Sequence, residues 1–322
     1  MPRSAAARAL TRREAILAYG FLLPAFASLA VFFLYPLAAV FVGSFFRDWG
    51  TPLRRFDGVG NFDLALSGSE FWHSLLITVY YVLGTAPAAL ALGFLIASLL
   101  HQEIRARGFY RAAYFLPYIT STVAAAAVFR WIFGVGPRSA ANVFLNWLGF
   151  EKLQWTQESR GILEMLANGL GFPHYPAWAG GPSLALLCVM AFAIWHMLGF
   201  NIVVFMAGLS AIPKELYEAA EVDGANWRQR TARITLPLLS PTLLFLGLVS
   251  VIRSFQSFND VYIITPVERS FTTRNVIMLI YQKMVERTDF GYGSAISFLL
   301  FLIILSLTLL QLRLFERKVH YQ

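Results

Sequence analysis

Six long apolar stretches constrain this chain more than any other feature of its sequence. The hydrocarbon core of a bilayer, about 30 Å thick, requires about 20 apolar residues of helix to cross it. The sequence is 57% hydrophobic and only 14% charged, well below the charged fraction of an ordinary soluble domain. It therefore predicts an all-α, polytopic membrane protein with six transmembrane helices. The predicted spans are 15–46, 73–100, 110–133, 183–210, 236–264 and 291–312.

The distribution of Lys and Arg predicts the orientation of these spans. Cytoplasmic segments of membrane proteins carry an excess of both residues. With the N-terminus inside, the inner segments hold more Lys and Arg in fewer residues than the outer segments do. Both termini are therefore predicted to be cytoplasmic, with a basic tail at 1–14, a transmembrane domain at 15–312 and a second tail at 313–322. The loop at 134–182 is then outside and the loop at 211–235 inside.

The outer loop contains "SRGILEMLANGLG", which has a short amphipathic pattern. Two interpretations stay open for this segment. It lies on the membrane surface, or it packs on a neighbouring domain.

The chain has a formal net charge of +8, but its basic residues are spread over several short segments. A nucleic-acid-binding protein concentrates them in one patch, so membrane topology explains the charge better and no nucleic acid is expected as a partner. No ATP-binding "GxxxxGK[ST]" motif is present. The lysines, none of which has that context, are Lys152, Lys214, Lys283 and Lys318.

The inner loop at 211–235 is unusually charged for this chain and is punctuated by Gly and Pro. Pro213 suits the first position of a helix, and residues 214–222 are good helix formers with acidic residues early, where they complement the helix dipole. Gly224 suits a left-handed helix end, and Pro237 is predicted to begin the fifth span. The prediction is a helix–turn–helix elbow on the membrane surface, with a notch of two alanines that a partner protein can approach.

The spacing "EAA-xx-DGA-x8-I-x-LP-xxx-P" in this elbow resembles the coupling signature of permease subunits of binding-protein-dependent ABC importers. The positions that carry the resemblance are Glu218, Ala219, Ala220, Asp223, Gly224, Ala225, Ile234, Leu236, Pro237 and Pro241. The segments "LLPAFASLAVFFLYPL", "FDGVGNFDLALSGSEFWHSL" and "RGFYRAAYFLPYITSTVAAAAVFRWIF" and the ending "FERKVHYQ" are similar to the sugar-importer branch. That branch includes the larger maltose permease and its glycerol-3-phosphate relative.

The resemblance implies the type I importer permease fold and a role in moving a sugar across a bacterial or archaeal cytoplasmic membrane. It implies that the 214–222 helix sits in a groove of an ATPase subunit. The implied coupling residues are Glu218, Ala219, Ala220, Asp223, Gly224, Ala225 and Pro237. One departure is Thr231, where the family often has an aromatic residue. Trp227 is a candidate to replace it.

The implied partners are a second homologous permease, two ABC ATPase subunits, an extracytoplasmic solute-binding protein and the lipid bilayer. Whether the second permease is identical or different stays open. This chain is expected to carry no cofactor and no catalytic residue, because ATP and Mg would bind the ATPase subunits.

Polar residues inside spans mark helix contacts or a transport path. If the fifth span is one continuous helix, Arg253, Gln256 and Asp260 share a face opposite Phe258 and Tyr262. Amides beside aromatic rings suit a sugar. The candidate path residues are Trp195, His196, Asn201, Arg253, Gln256, Asn259 and Asp260. A structural Arg253–Asp260 pair and an interhelical role for His196 stay open.

Three other functions compete with sugar import. Glycerol 3-phosphate or another polyol or organophosphate is an alternative substrate, because Arg253 suits an anion. A secondary transporter would have inverted repeats and ion ligands within the membrane, and no such duplication is evident. A membrane enzyme would need a nucleophile or a metal motif such as "HExxH", and the sequence has none.

Overall fold

The computed structural model describes residues 5–102, 105–171, 180–265 and 271–316. Residues 1–4 of the predicted tail 1–14 and residues 317–322 of the predicted tail 313–322 lie outside these residues, as do most of the "FERKVHYQ" ending and part of the 134–182 loop. The helices are α1 (Ala5–Leu29), α2 (Tyr35–Gly43), α3 (Gly60–Ser67), α4 (Ser69–His101), α5 (Arg107–Ile119), α6 (Thr122–Ile132), α7 (Ala140–Trp147), α8 (Ile162–Gly169), α9 (Leu184–Ser210), α10 (Lys214–Val222), α11 (Trp227–Arg230), α12 (Leu236–Leu238), α13 (Ser240–Phe255), α14 (Asn259–Ile264), α15 (Val276–Tyr281) and α16 (Phe290–Glu316).

The described residues also contain three π-helical turns and one small hairpin. The π-helical turns are Ala30–Leu34, Thr231–Thr235 and Gln282–Glu286. The hairpin pairs β1 (Phe46–Arg47) with β2 (Arg55–Phe56) in antiparallel register. The chain divides into two compact units, one of residues 1–67 and 283–299, the other of residues 68–282 and 300–322.

Four of the described helices are long and apolar enough to cross a membrane: Glu14–Gly43, Ser69–His101, Leu184–Ser210 and Phe290–Phe315. Two further candidates are bent pairs. Gly108–Ile119 and Thr122–Ile132 meet at 95°, and Trp227–Leu238 and Ser240–Phe255 meet at 69°. The described chain therefore has four to six candidate spans. The third and fifth spans, predicted as continuous helices, are broken.

Local chemistry accounts for the bend in the fifth span. Pro241, in the first turn of α13, has no N–H to donate to the carbonyl of Pro237, four residues earlier. The Ser240 hydroxyl donates to that carbonyl instead, at 2.6 Å. Because the Ser240 side chain bonds the Pro237 carbonyl, the helix can bend at Leu239 without leaving that carbonyl unpaired.

Two of the π-helical turns lie just before a proline. Ala30–Leu34 ends two residues before Pro36, and Thr231–Thr235 ends two residues before Pro237. A proline ring clashes with the carbonyl four residues earlier in a regular α-helix. A widened turn at that place relieves the clash, so the chain passes both prolines with little bending.

Helices α4 and α9 form the centre of the larger unit. A Cβ on Gly84 would lie 2.8 Å from Met190 Sδ, and a Cβ on Gly93 would lie 2.8 Å from Asn201 Cβ, so the absence of side chains lets the two backbones approach closely. The later residue of α4 contacts the later residue of α9, so the two helices are parallel.

The bent pair α5 and α6 runs antiparallel to α9. Tyr118 and Phe129, in α5 and α6, contact Phe200 and Phe192 of α9 in reverse order. Two buried clusters hold these helices together. The first joins α4, α6, α9 and α14, and the second joins α4, α9, Leu239 and α13.

Candidate functional site

Helix α10 of the predicted elbow has the bounds expected from the sequence, Lys214–Val222. Pro213 is the N-cap residue (φ −59°, ψ 133°), one position before the predicted one. Gly224 has φ +72°. Its N–H donates to the Glu221 carbonyl (3.0 Å), and the Ala225 N–H donates to the Ala220 carbonyl (2.8 Å). These two bonds form a Schellman motif, which ends the helix and reverses the chain.

The second limb of the elbow starts earlier than predicted. Asn226 and Gln229 form a capping box that begins a helix at Trp227. The limb is helical from Trp227 to Leu238, so it already contains Pro237, and the helix does not start at that proline. The Asn226 cap is a stronger start signal than the proline, because it supplies an acceptor for a free N–H. Arg230 donates to Glu221 across the turn and joins the two limbs.

One face of α10 anchors the elbow to the membrane helices. The Tyr217 hydroxyl lies 3.0 Å from Thr235 Oγ1, and the Tyr217 ring packs with Ile234 and Leu238 against the buried cluster of α9 and α13. The opposite face is exposed. Val222, the last residue of α10, is 89% exposed, and Trp227, the first residue of α11, is 65% exposed, so both large apolar side chains have little cover.

The predicted coupling residues cluster on this elbow. Glu218, Ala219, Asp223 and Gly224 are exposed. Ala220, Ala225 and Pro237 are half-buried. Thr231, the position that departs from the expected aromatic residue, is also half-buried and begins the π-helical turn. The Trp227 ring, four residues before Thr231, is exposed, and the Arg228 guanidinium lies 5.5 Å from its centroid.

The predicted path residues separate into an exposed group and a buried group. Arg253, Gln256 and Asn259 are exposed in the single chain, at the end of α13 and the start of α14. Asn201 is 1% exposed and Asp260 is 7% exposed.

The buried position of Asp260 follows from a break in the helix. Helix α13 ends at Phe255 and α14 begins at Asn259, so the projection of residues 253–260 onto one continuous helix is wrong. Tyr81 of α4 donates its hydroxyl to Asp260 Oδ2. The Ser257 hydroxyl donates to Asp260 Oδ1 at 2.5 Å. Both carboxylate oxygens are therefore satisfied inside the protein, at the break.

Arg253 does not pair with Asp260. Its guanidinium lies 4.9 Å from the centroid of the Phe200 ring and 5.6 Å from that of Tyr118. Nη2 donates to the Tyr118 hydroxyl at 3.3 Å. The two rings are themselves in contact, with centroids 5.4 Å apart. These contacts fix the guanidinium by cation–π attraction rather than by a carboxylate.

Gly199 brings Tyr118 to this position. A Cβ on Gly199 would lie 2.9 Å from the Tyr114 carbonyl oxygen and 2.9 Å from Tyr118 Cβ. Only glycine leaves room for α5 at this distance from α9.

The remaining candidates lie on α9 among aromatic rings. His196 Nε2 is 3.4 Å from Thr122 Oγ1, and the imidazole centroid is 5.8 Å from that of Phe192. Trp195 packs against Phe129 with centroids 5.1 Å apart. Both residues are half-buried, so they line the region between α6 and α9 rather than the exposed face.

Sequence reasoning missed three residues of these arrangements: Tyr81, Tyr118 and Phe200. A signal existed for Tyr81. Ser74, Thr78, Tyr81 and Thr85 follow helical spacing and form a polar stripe in an otherwise apolar span. No comparable pattern marks Tyr118 and Phe200.

In the part of the chain that the structure describes, no group of three or more His, Cys, Asp or Glu side chains is placed to hold a metal ion.

Comparison with known proteins gives consistent matches along the chain. The family model described as "Binding-protein-dependent transport system inner membrane component" matches residues 89–321. The arabinooligosaccharides transport system permease protein AraP of Bacillus subtilis is 33% identical over 302 residues, covering 92% of this chain and 87% of that protein. The sn-glycerol-3-phosphate transport system permease protein UgpA of Agrobacterium fabrum is 30% identical over 308 residues, covering 95% and 97%.

One solved structure superposes with a TM-score of 0.76 over 95% of this chain and 96% of that chain. It is a crystal structure of a bacterial alginate ABC transporter in complex with alginate pentasaccharide-bound periplasmic protein. At 18% sequence identity, this likeness establishes a shared fold.

Proposed function

The chain belongs to the family of binding-protein-dependent transport system inner membrane components, and we propose that it is the sugar-conducting permease subunit of an ATP-driven importer. It is a multi-pass protein of the cytoplasmic membrane of a bacterium or archaeon. The observation that carries the proposal is the elbow at 211–235. A short rigid helix, closed by a left-handed Gly224, is fixed to the membrane helices on one face and exposed on the other.

The proposed topology has six spans, with each bent helix pair counted as one. The directions of the packed helices support it, because α4 and α9 run together and α5–α6 and α13 run against them. Successive spans of a multi-pass protein cross the membrane in opposite directions, so spans two and four should be parallel to each other and antiparallel to spans three and five. The membrane domain is then 15–312, with cytoplasmic tails at 1–14 and 313–322 and the 134–182 loop outside.

The exposed face of α10 is proposed to enter a groove of an ABC ATPase subunit. Small side chains at Ala219 and Ala220 let the partner approach closely. A carboxylate such as Glu218 gives orientation as well as attraction if the groove is basic. ATP and Mg bind the ATPase subunits in this scheme. Their closure moves α10, and the contacts of Tyr217 pass that movement to α9 and α13.

The complete transporter is proposed to contain a second homologous permease, two ATPase subunits and an extracytoplasmic solute-binding protein. The solute path follows the exposed face that carries Arg253, Gln256 and Asn259, since polar groups are costly against lipid and favourable in a water-filled path. Amides and aromatic rings there suit the hydroxyls and apolar faces of a sugar.

The proposal is tested by uptake of labelled oligosaccharides into proteoliposomes that contain the complete transporter. We expect uptake to require ATP and the solute-binding protein, and to cease when the ATPase subunits are left out. Uptake driven by an ion gradient in the absence of ATP would instead identify a secondary transporter.

A further inference from the structure

Arg253 is a positive charge on the exposed side of a helix that we assign to the membrane. Leu246, two helical turns earlier and close to the same face of α13, is fully buried. The same side of α13 is thus packed against other parts of the chain at Leu246 and exposed at Arg253. A guanidinium facing hydrocarbon is costly. The open side is therefore expected to face water or a polar partner.

The charge of Arg253 is not neutralised within the described residues. None of the ion pairs there includes Arg253. Asp260, the acidic residue nearest to it in sequence, has one carboxylate oxygen bonded to Tyr81 and the other to Ser257. Those bonds tie the Asp260 carboxylate to α4 and to the break between α13 and α14. The Arg253 guanidinium instead packs against the rings of Tyr118 and Phe200.

The two rings fix the guanidinium and, among the described residues, leave much of its hydrogen-bonding capacity unused. The guanidinium has five N–H groups, of which one donates to the Tyr118 hydroxyl. Cation–π contacts hold the group by its charge and form no N–H···O bond. A fixed planar edge with several donors matches the geometry of a carboxylate or a phosphate, which accept two parallel hydrogen bonds.

The neighbouring groups suit the rest of a polyhydroxylated solute. Gln256 and Asn259 place exposed amides next to Arg253 along the chain. We propose that Arg253, fixed by Tyr118 and Phe200, determines substrate specificity, and that the transported solute is a saccharide or polyol carrying a carboxylate or a phosphate. This inference rests on the proposed function, because it assigns a charge class to the solute of that path.

Uptake of three probes by the complete transporter with its own binding protein tests the inference. The probes are a neutral disaccharide, the matched disaccharide with a terminal uronic acid, and sn-glycerol 3-phosphate. We expect the wild-type transporter to take up a charged probe. Arg253→Gln should reduce that uptake about tenfold or more, because it removes about one charge-assisted hydrogen bond. Arg253→Lys keeps the charge without the planar fork and should retain part of the uptake. The two charged probes distinguish a carboxylate from a phosphate.

Arg130→Gln is the matched control. It also removes an exposed arginine near the end of a span, but Arg130 contacts the Ile263 carbonyl at 3.4 Å and not the aromatic pair. It should leave the ratio of charged to neutral uptake unchanged.

Two outcomes would overturn the inference and leave the proposed function standing. One is uptake of the neutral disaccharide alone, unaffected by Arg253→Gln. The other is an equal loss of charged and neutral uptake in that variant, which would assign Arg253 to structure. The proposed function itself fails if an assembled complex with all its subunits takes up no probe in an ATP-dependent manner and no saccharide stimulates its ATPase activity.

Discussion

Tyr81 donates its hydroxyl hydrogen to the carboxylate of Asp260, 179 residues later in the chain. The bond joins α4 to α14 at the break that separates α13 from α14. Asn275 reinforces the same place by donating to the Ser257 carbonyl at 2.6 Å. A broken helix leaves backbone groups without helical partners, and the Asn275 side chain satisfies one of them. The network therefore holds the end of α13, and with it the exposed Arg253, in one position.

Tyr81→Phe is expected to destabilise the protein by about 1–3 kcal/mol, because it removes a donor from a buried carboxylate. Thermal denaturation of the purified transporter in detergent measures the change. The control is Tyr262→Phe, since Tyr262 is 37% exposed and such surface changes cost about 0.5 kcal/mol or less. Equal stability of the two variants would contradict the role given to the Tyr81–Asp260 bond.

Gly199→Ala is expected to separate α5 from α9 and to cost about 1–3 kcal/mol, as overpacking of a tight contact does. Because the added methyl group would meet Tyr118 Cβ and the Tyr114 carbonyl oxygen at 2.9 Å, the Tyr118 ring should also move away from Arg253. Gly247→Ala is the matched control, since nothing lies within 4 Å of its Cβ position. Thermal stability and uptake are compared in both variants, and similar behaviour would show that α5 moves at little cost.

Gly224→Val is expected to uncouple ATP hydrolysis from transport. A branched side chain at φ +72° is strained by about 1–2 kcal/mol, so the turn after α10 should change shape. Gly224→Asn is the control, because asparagine tolerates the left-handed conformation. Binding-protein-stimulated ATPase activity of the complex is the measurement. No atom lies within 4 Å of the Gly224 Cβ position, so a clash inside this chain does not explain a loss.

Glu218→Lys is expected to abolish ATP-coupled uptake while the protein still inserts into the membrane. Glu218 is exposed, so the charge reversal should leave the fold intact and act on the proposed ATPase contact. Co-purification of the ATPase subunits and uptake are measured together. Uptake at the wild-type rate in a reconstituted complex would remove Glu218 from the coupling surface.

Asn142→Ala is expected to loosen the outer loop. The Asn142 amide donates to the carbonyls of Gly136 (3.1 Å) and Leu153 (3.0 Å), and its oxygen accepts from the Leu153 N–H (3.0 Å) and from Trp155 Nε1 (2.9 Å). Each buried group left without a partner costs about 1–3 kcal/mol.

Limited proteolysis of the 134–182 loop measures this effect, with faster cleavage expected in Asn142→Ala. Asn146→Ala, an exposed asparagine on the same helix, should be cleaved at the wild-type rate. If both variants resist cleavage equally, the loop is held by other contacts.

The elbow was the part of the molecule most open to prediction from sequence. Its helix and its left-handed glycine depend on nearest neighbours in the chain, namely helix propensity, the Schellman bonds and the freedom of glycine. The start of its second limb was not predicted, because the capping box of Asn226 and Gln229, upstream of Pro237, went unnoticed in the sequence.

The predicted solute path was harder to derive from the sequence, because the positions of its residues depend on breaks in the helices. Residues 253–260 project onto one face only if the helix is continuous, and the structure interrupts it between Phe255 and Asn259. The break turns Asp260 towards α4, where a tyrosine from a distant segment satisfies it.

The sequence by itself determined the apolar spans, the charged elbow and the absence of an ATP-binding motif, since each is a property of composition or of short-range spacing. Only the tertiary structure decided which polar residues are satisfied inside the protein and which are left on an open face. Arg253 and Asp260 differ in this respect although they are seven residues apart. The reason is physical: the side chains that bond or hold them, Tyr81, Tyr118 and Phe200, come from other helices, and helix packing alone brings them within bonding distance.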